Sequence, residues 1–110
     1  MGTADSEAAK HLLLFATFTE VAAKAFPELP GISEHTVLLA AMAHADAEGH
    51  LRVKVWTAHT GIGVSTLERF AKHFASLGLM KTDQMSGGMV RLEKSAFVRL
   101  EAAIRTESKQ

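Results

Sequence analysis

The chain has no cysteine and no tyrosine, and its positive and negative side chains cancel. Without cysteine there is no disulfide scaffold, no Cys-containing zinc site and no thiol nucleophile. Apolar runs such as Leu12–Ala16 are far shorter than the roughly 20 residues that cross a membrane. The first residues, Met1-Gly2-Thr3-Ala4-Asp5-Ser6-Glu7, carry acid where a signal peptide carries base. A soluble cytoplasmic protein without membrane contact is therefore expected. Signatures of catalysis are missing as well: there is no phosphate-binding loop and no Gly-x-Ser-x-Gly elbow. Gly61-x-Gly63 and Gly87-Gly88 are too short to cradle phosphates and read as turns. No catalytic residue, no cofactor and no enzymatic activity is expected.

What remains is a chain of 110 residues, the size of one domain. Its 47% hydrophobic and 22% charged residues are ordinary for a folded protein, which argues against wholesale disorder. A net charge of zero argues at first against nucleic acid, whose binding domains are usually basic. The charge is unevenly spread, however. Residues 1–50 hold two basic and seven acidic side chains; residues 51–110 hold ten basic and five acidic ones. A neutral chain divided in this way can still present one basic face.

Hydrophobic spacing gives the order α-α-β-α-α-β-β-α, mainly helical with a small β-hairpin. A first helix spans Ser6 to Phe26 and stops at Pro27. Its polar residues Lys10, Thr17, Glu20 and Lys24 form one narrow stripe, and the rest of its circumference is apolar. So much apolar surface in a small chain suggests a second subunit. Leu12, Leu14, Phe15, Phe18, Val21 and Phe26 are the candidate dimer contacts, the alternative being a central helix wrapped by its own domain. Ser33 is placed to cap a second helix with Val37, Leu38, Ala41, Met42 and Ala45 on its buried face, ending near Gly49. Leu51, Val53 and Val55 alternate with Arg52 and Lys54, which reads as a short strand. A one- or two-turn helix over Trp56–Thr60 is closed by Gly61-Ile62-Gly63, and a longer helix over Val64–Leu77 stops at Gly78. Leu79–Thr82 and Met89–Leu92 form a hairpin around Asp83–Gly88, with Met85 and Met89 flanking its tip and Met89 expected to pack. A last helix over Lys94–Thr106 buries Phe97, Leu100 and Ile104.

Two helices joined by a glycine turn and followed by a hairpin are the winged helix-turn-helix plan. In the Val64–Leu77 helix, Leu67, Phe70, Ala71, Phe74 and Leu77 form the core face. Ser65, Glu68, Arg69, Lys72, His73 and Ser76 lie opposite, and Ser65-Thr66-Leu67-Glu68 fits a capping box. Arg69 can pair with guanine O6 and N7, Glu68 can accept from cytosine N4, and Lys72 suits a phosphate. Such a polar face is otherwise the ordinary solvated side of an amphipathic helix.

Thr60-Gly61-Ile62-Gly63-Val64-Ser65-Thr66-Leu67-Glu68-Arg69, with Leu77-Gly78-Leu79-Met80 after it, resembles the helix-turn-helix of bacterial winged-helix regulators. The stretch Leu38–Gly49 is similar to the first helix of the winged-helix domain in phage and plasmid replication and control proteins. The flanking helices resemble those of MarR-like dimeric regulators, in which they build the dimer. The likeness covers roughly Ser33–Leu92. It implies an amino-terminal dimerisation helix over 1–32, a winged-helix core over 33–92 and a carboxy-terminal helix over 93–110. It further implies a homodimer on a palindromic double-stranded DNA site, acting as a transcription or plasmid/phage maintenance regulator, with a small-molecule effector left open. The implied DNA contacts are Arg52, Lys54, Ser65, Thr66, Glu68, Arg69, Lys72, His73, Lys81 and Arg91. Three departures stand out: Gly63 where a Ser cap is frequent, Thr57 where Ala is usual, and a wing tip, Asp83–Gly88, without Lys or Arg. The last favours an alternative, a winged-helix protein-interaction module that binds no DNA.

Six histidines raise the question of a metal. His44, Asp46, Glu48 and His50 alternate, a spacing that spreads side chains around a helix rather than converging them, so no metal site is expected. His11, His35 and His59 read as surface or satisfied core residues.

Overall fold

Helix α1 occupies residues 17–25 of the computed structural model, which describes residues 17–108. It ends where Pro27, with no N–H to give, cannot continue it; Phe26 N–H still reaches the Ala22 carbonyl at 2.9 Å. Helix α2, Ile32–His44, follows. Its N-cap is Gly31, without a side-chain cap, so Ser33 lies in the first turn and not at the expected cap position. Val37, Leu38, Ala41 and Met42 are buried as their spacing predicts. The helix ends at His44, before Gly49. The positive φ of Gly49 (90°) serves the following turn, where Asp46 Oδ1 accepts from the backbone N–H of Glu48 and of His50, both at 2.9 Å. A side chain at Gly49 would meet the Leu92 carbonyl oxygen at 2.6 Å.

Strand β1 is only His50–Arg52, and Val53–Val55 form the first turn of helix α3, Val53–Thr60. The expected strand over Leu51–Val55 is thus cut short. Val53 and Trp56, three apart, are both buried, so the helical period competes with the alternating one. Val53 N–H donates to the Gly88 carbonyl at 2.9 Å, a contact from a distant loop. Helix α4 is Val64–Ser76, and α5 is Lys94–Ser108. Between them lie β2, Met80–Lys81, a 3-10 turn over Met85–Gly87, and β3, Met89–Leu92. The sheet is antiparallel in the order β1-β3-β2, with Leu51 opposite Val90 and Met80 opposite Leu92. The architecture is a mainly helical chain with a small three-stranded sheet.

The core draws on every one of these helices and strands. Leu51, Met80, Val90 and Leu92 from the sheet meet Leu38, Trp56, Leu67 and Phe74 from the helices. Trp56 is sealed at 1% exposure and its Nε1 donates to the Val37 carbonyl at 3.0 Å, tying α3 to α2. His35, buried, has Nε2 3.0 Å from the Phe26 carbonyl, a satisfied core histidine. Helix α5 differs in part from expectation. Ala96 and Ala103 are its buried residues, Phe97 and Leu100 are half-buried, and Ile104 is 50% exposed. Arg99 pins α5 down: Nε donates to the Ala25 carbonyl at 2.9 Å, Nη2 to Glu28, and the guanidinium lies 4.9 Å from the Phe26 ring centre. Met85 packs on the core, and Met89, the one expected to pack, stands half-buried on the outer sheet face.

Candidate nucleic-acid interface

The turn from α3 to α4 is built by Gly61 and Gly63. Gly61 takes the left-handed conformation (φ 71°), and its N–H closes α3 on the Thr57 carbonyl. Ile62 N–H donates to Thr60 Oγ1 at 3.2 Å. Gly63 is the N-cap of α4, in extended backbone and without a side-chain cap, so the capping box expected at Ser65–Glu68 does not form. Leu67, Ala71 and Phe74 anchor α4 in the core, with Phe70 and Leu77 half-buried beside them. Ser65, Thr66, Arg69, Lys72, His73 and Ser76 are exposed, while Glu68 is half-buried.

Beside the start of α4 runs a cleft of about 390 Å³ lined by Arg52, Val53, Lys54, Val64, Gly87, Gly88 and Met89. The Val53–Gly88 hydrogen bond holds one wall to the other. The uncapped first turn of a helix leaves N–H groups for an anion. Arg52 and Lys54, both exposed, stand at the edge of the same cleft. Gly87 and Gly88, read in the sequence as a plain turn, are part of this wall.

The remaining expected residues divide into two further groups. Thr66, Arg69 and His73 line a pocket of about 270 Å³ with Phe70 and with Glu34 of α2, an acid that sequence reading did not place there. Lys81 and Arg91 lie on the outer face of the sheet, in one row with His50. They line a separate cleft with Glu48, Glu93, Lys94 and Phe97. There Lys81 faces Glu93 at 3.8 Å, and Arg91 Nε donates to the Glu48 carbonyl at 3.4 Å. Lys81 and Arg91 therefore do not line the cleft of Arg52 and Lys54. Arg52, Lys54, Arg69 and Lys72 form no ion pair among the described residues.

Of the candidate dimer contacts, Leu12, Leu14 and Phe15 lie outside the described residues. Phe26 is sealed in the chain's own core and is not free for a partner, a correction to the expectation; Val21 is buried there too, with an edge that lines the groove beside Phe18. Phe18 is 37% exposed and opens an apolar groove of about 400 Å³ with Val21, Leu39, Met42, Leu100 and Ile104.

The alternating His44-x-Asp46-x-Glu48-x-His50 run divides between two tasks. Asp46 caps its turn, and the backbone N–H groups of His50 and Glu48 hold its carboxyl below the usual carboxylate range. His44 instead stacks on His59, rings 3.6 Å apart and 10° from parallel. Among the described residues no group of three or more acid or histidine side chains could hold a metal ion. None of their helices is long and apolar enough to cross a membrane. Compared with protein-family models, curated proteins and solved structures, the chain shows no significant match.

Proposed function

We propose that this chain is a winged helix-turn-helix protein that binds double-stranded DNA as a homodimer. It acts in the cytoplasm as a transcription or plasmid/phage maintenance regulator. The carrying observation is α4, anchored by Leu67, Ala71 and Phe74, with Arg69 and Lys72 exposed opposite and a cleft edged by Arg52 and Lys54 at its start. In this reading α4 enters the major groove, Arg69 reads a base edge, and Arg52, Lys54 and Lys72 meet phosphates. The β2–β3 hairpin is the wing. The apolar groove around Phe18 and Ile104 supports a second subunit, whose two-fold axis suits a palindromic site.

Selection of DNA fragments by the purified protein, followed by a gel-shift assay on the selected site, tests this. Arg69→Ala is expected to cost roughly 1–3 kcal/mol and to blur one base position. Wild-type affinity in both Arg69→Ala and Lys72→Ala removes α4 from the interface.

A protein-interaction module is the second reading. It is favoured by a hairpin tip without basic residues and by the pairing of Lys81 with Glu93. Failure to retain random-sequence DNA at low salt selects it over the first.

A further inference from the structure

Glu34 sits in the first turn of α2, yet it reaches the polar face of α4. Its Oε2 is sealed from water and has no aligned hydrogen-bond donor among the described residues. His73 Nε2 lies 3.3 Å from that oxygen, within ion-pair distance. Thr66, Arg69 and Phe70 line the open pocket around them, and the His73 ring also tilts against Phe74 at 6.1 Å. The charged groups facing His73 are thus Glu34 from α2 and Arg69 from the preceding turn of α4. A buried carboxylate oxygen needs a donor, and a proton on Nε2 is the donor within reach.

We propose that Glu34 is the positioning residue for His73: it holds Nε2 protonated and turns His73 into a proton-linked contact to DNA. This rests on the DNA reading for its consequence, though not for the tautomer. With Nε2–H committed to Glu34, Nδ1 is the nitrogen that remains. In neutral imidazole Nδ1 bears a lone pair, which accepts from a base amino group and repels a phosphate oxygen. In imidazolium it carries a proton and donates to phosphate, while Nε2–H stays on Glu34. Glu34 supplies the negative charge against which that cation can sit beside Arg69. Binding to DNA then takes up a proton at His73, so affinity rises as pH falls.

The test has two arms. Fluorescence anisotropy with a random-sequence duplex at low salt measures affinity between about pH 8 and about pH 6. Wild type is expected to bind about five-fold tighter at the acid end, the scale of one added exposed charge contact. Glu34→Gln, whose amide oxygen still accepts Nε2–H without a charge, keeps the alkaline affinity and loses the gain. His73→Gln loses the gain as well, which separates His73 from the other histidines. An unchanged gain in either variant overturns the proton linkage. The second arm needs no DNA. Side-chain nitrogen NMR at neutral pH is expected to show the Nε2–H tautomer at His73 in wild type and Glu34→Gln, and a mixture in Glu34→Ala. An Nδ1–H tautomer in wild type overturns the positioning role. No DNA bound at either pH removes the DNA reading and the linkage with it, while the tautomer still decides what Glu34 does.

Discussion

Thr57 shows how much one side chain can disclose. Its Oγ1 is buried with no hydrogen-bond partner among the described residues. A buried hydroxyl without a partner is a net cost, and Ala is also the better helix former. Thr57→Ala is therefore expected to stabilise the fold by about 0.5–1.5 kcal/mol, read from denaturant unfolding through the fluorescence of the single tryptophan, Trp56. A loss of stability would mean that the hydroxyl has a partner after all. Arg99 makes the opposite case, since it binds a carbonyl, a carboxylate and a ring at once. Arg99→Ala is expected to cost about 1–3 kcal/mol at neutral pH. The hydrogen bond from Arg99 holds the Glu28 carboxyl below its ordinary value. A depressed carboxylate contributes stability above its unfolded pKa and loses it as pH falls through its folded pKa. The gap between wild type and Arg99→Ala should thus narrow in acid, below the usual carboxylate range. It should not close, because the Ala25 carbonyl and the Phe26 ring do not titrate there.

Elements were legible in the sequence where one period dominated and illegible where two competed. The face of α4 was readable because Leu67, Ala71 and Phe74 repeat at helical spacing with polar residues between them. Strand β1 was overextended because Leu51, Val53 and Val55 alternate as a strand would. The burial of Val53 with Trp56 and the bond from Val53 N–H to Gly88 come from tertiary packing, which local spacing does not contain. The same reason hid Glu34 beside His73 and His44 on His59, pairs made by different helices. The candidate site was therefore half readable: its α4 residues were, and the cleft joining Arg52 and Lys54 to Gly87 and Gly88 was not. At Gly49 the turn carries a firm expectation. Its φ is 90°, and the Leu92 oxygen lies 2.6 Å from where a β-carbon would stand, which leaves no room for a side chain. Gly49→Ala should destabilise the fold by at least about 1–3 kcal/mol, by backbone strain and by displacement of β3. Amide exchange should quicken at Leu92, whose N–H donates to the Gly49 carbonyl at 2.7 Å. Unchanged exchange there would separate the turn from the sheet.

At the scale of the whole molecule, the proposed DNA reading must account for how a chain of zero net charge would hold a polyanion. The ten basic residues of the second half are not all available. Lys81 faces Glu93, and Arg99 and Arg105 are paired with Glu28 and Glu101. Arg91 and Lys94 line the separate cleft with Glu48 and Glu93, and Lys109 lies outside the described residues. On the proposed DNA reading, Arg52, Lys54 and Lys72 are then left for phosphates once Arg69 is given to a base. Each phosphate neutralised contributes about −0.9 to the slope of log affinity against log salt, so six contacts in a dimer give about −5. On the proposed reading that is a shallow slope, and it requires two subunits acting together. Phe18→Glu places a charge in the apolar groove that Ile104 shares. It is expected to yield monomers by light scattering, with Trp56 fluorescence still native. The salt slope of the monomer should then fall to about half, near −3, and affinity for a palindromic site should fall with it. A dimer that survives both Phe18→Glu and Ile104→Glu would move the subunit contact away from this groove. A monomer with an undiminished slope would instead place all the phosphate contacts within one chain, which needs more basic residues on the DNA than Arg52, Lys54 and Lys72 provide.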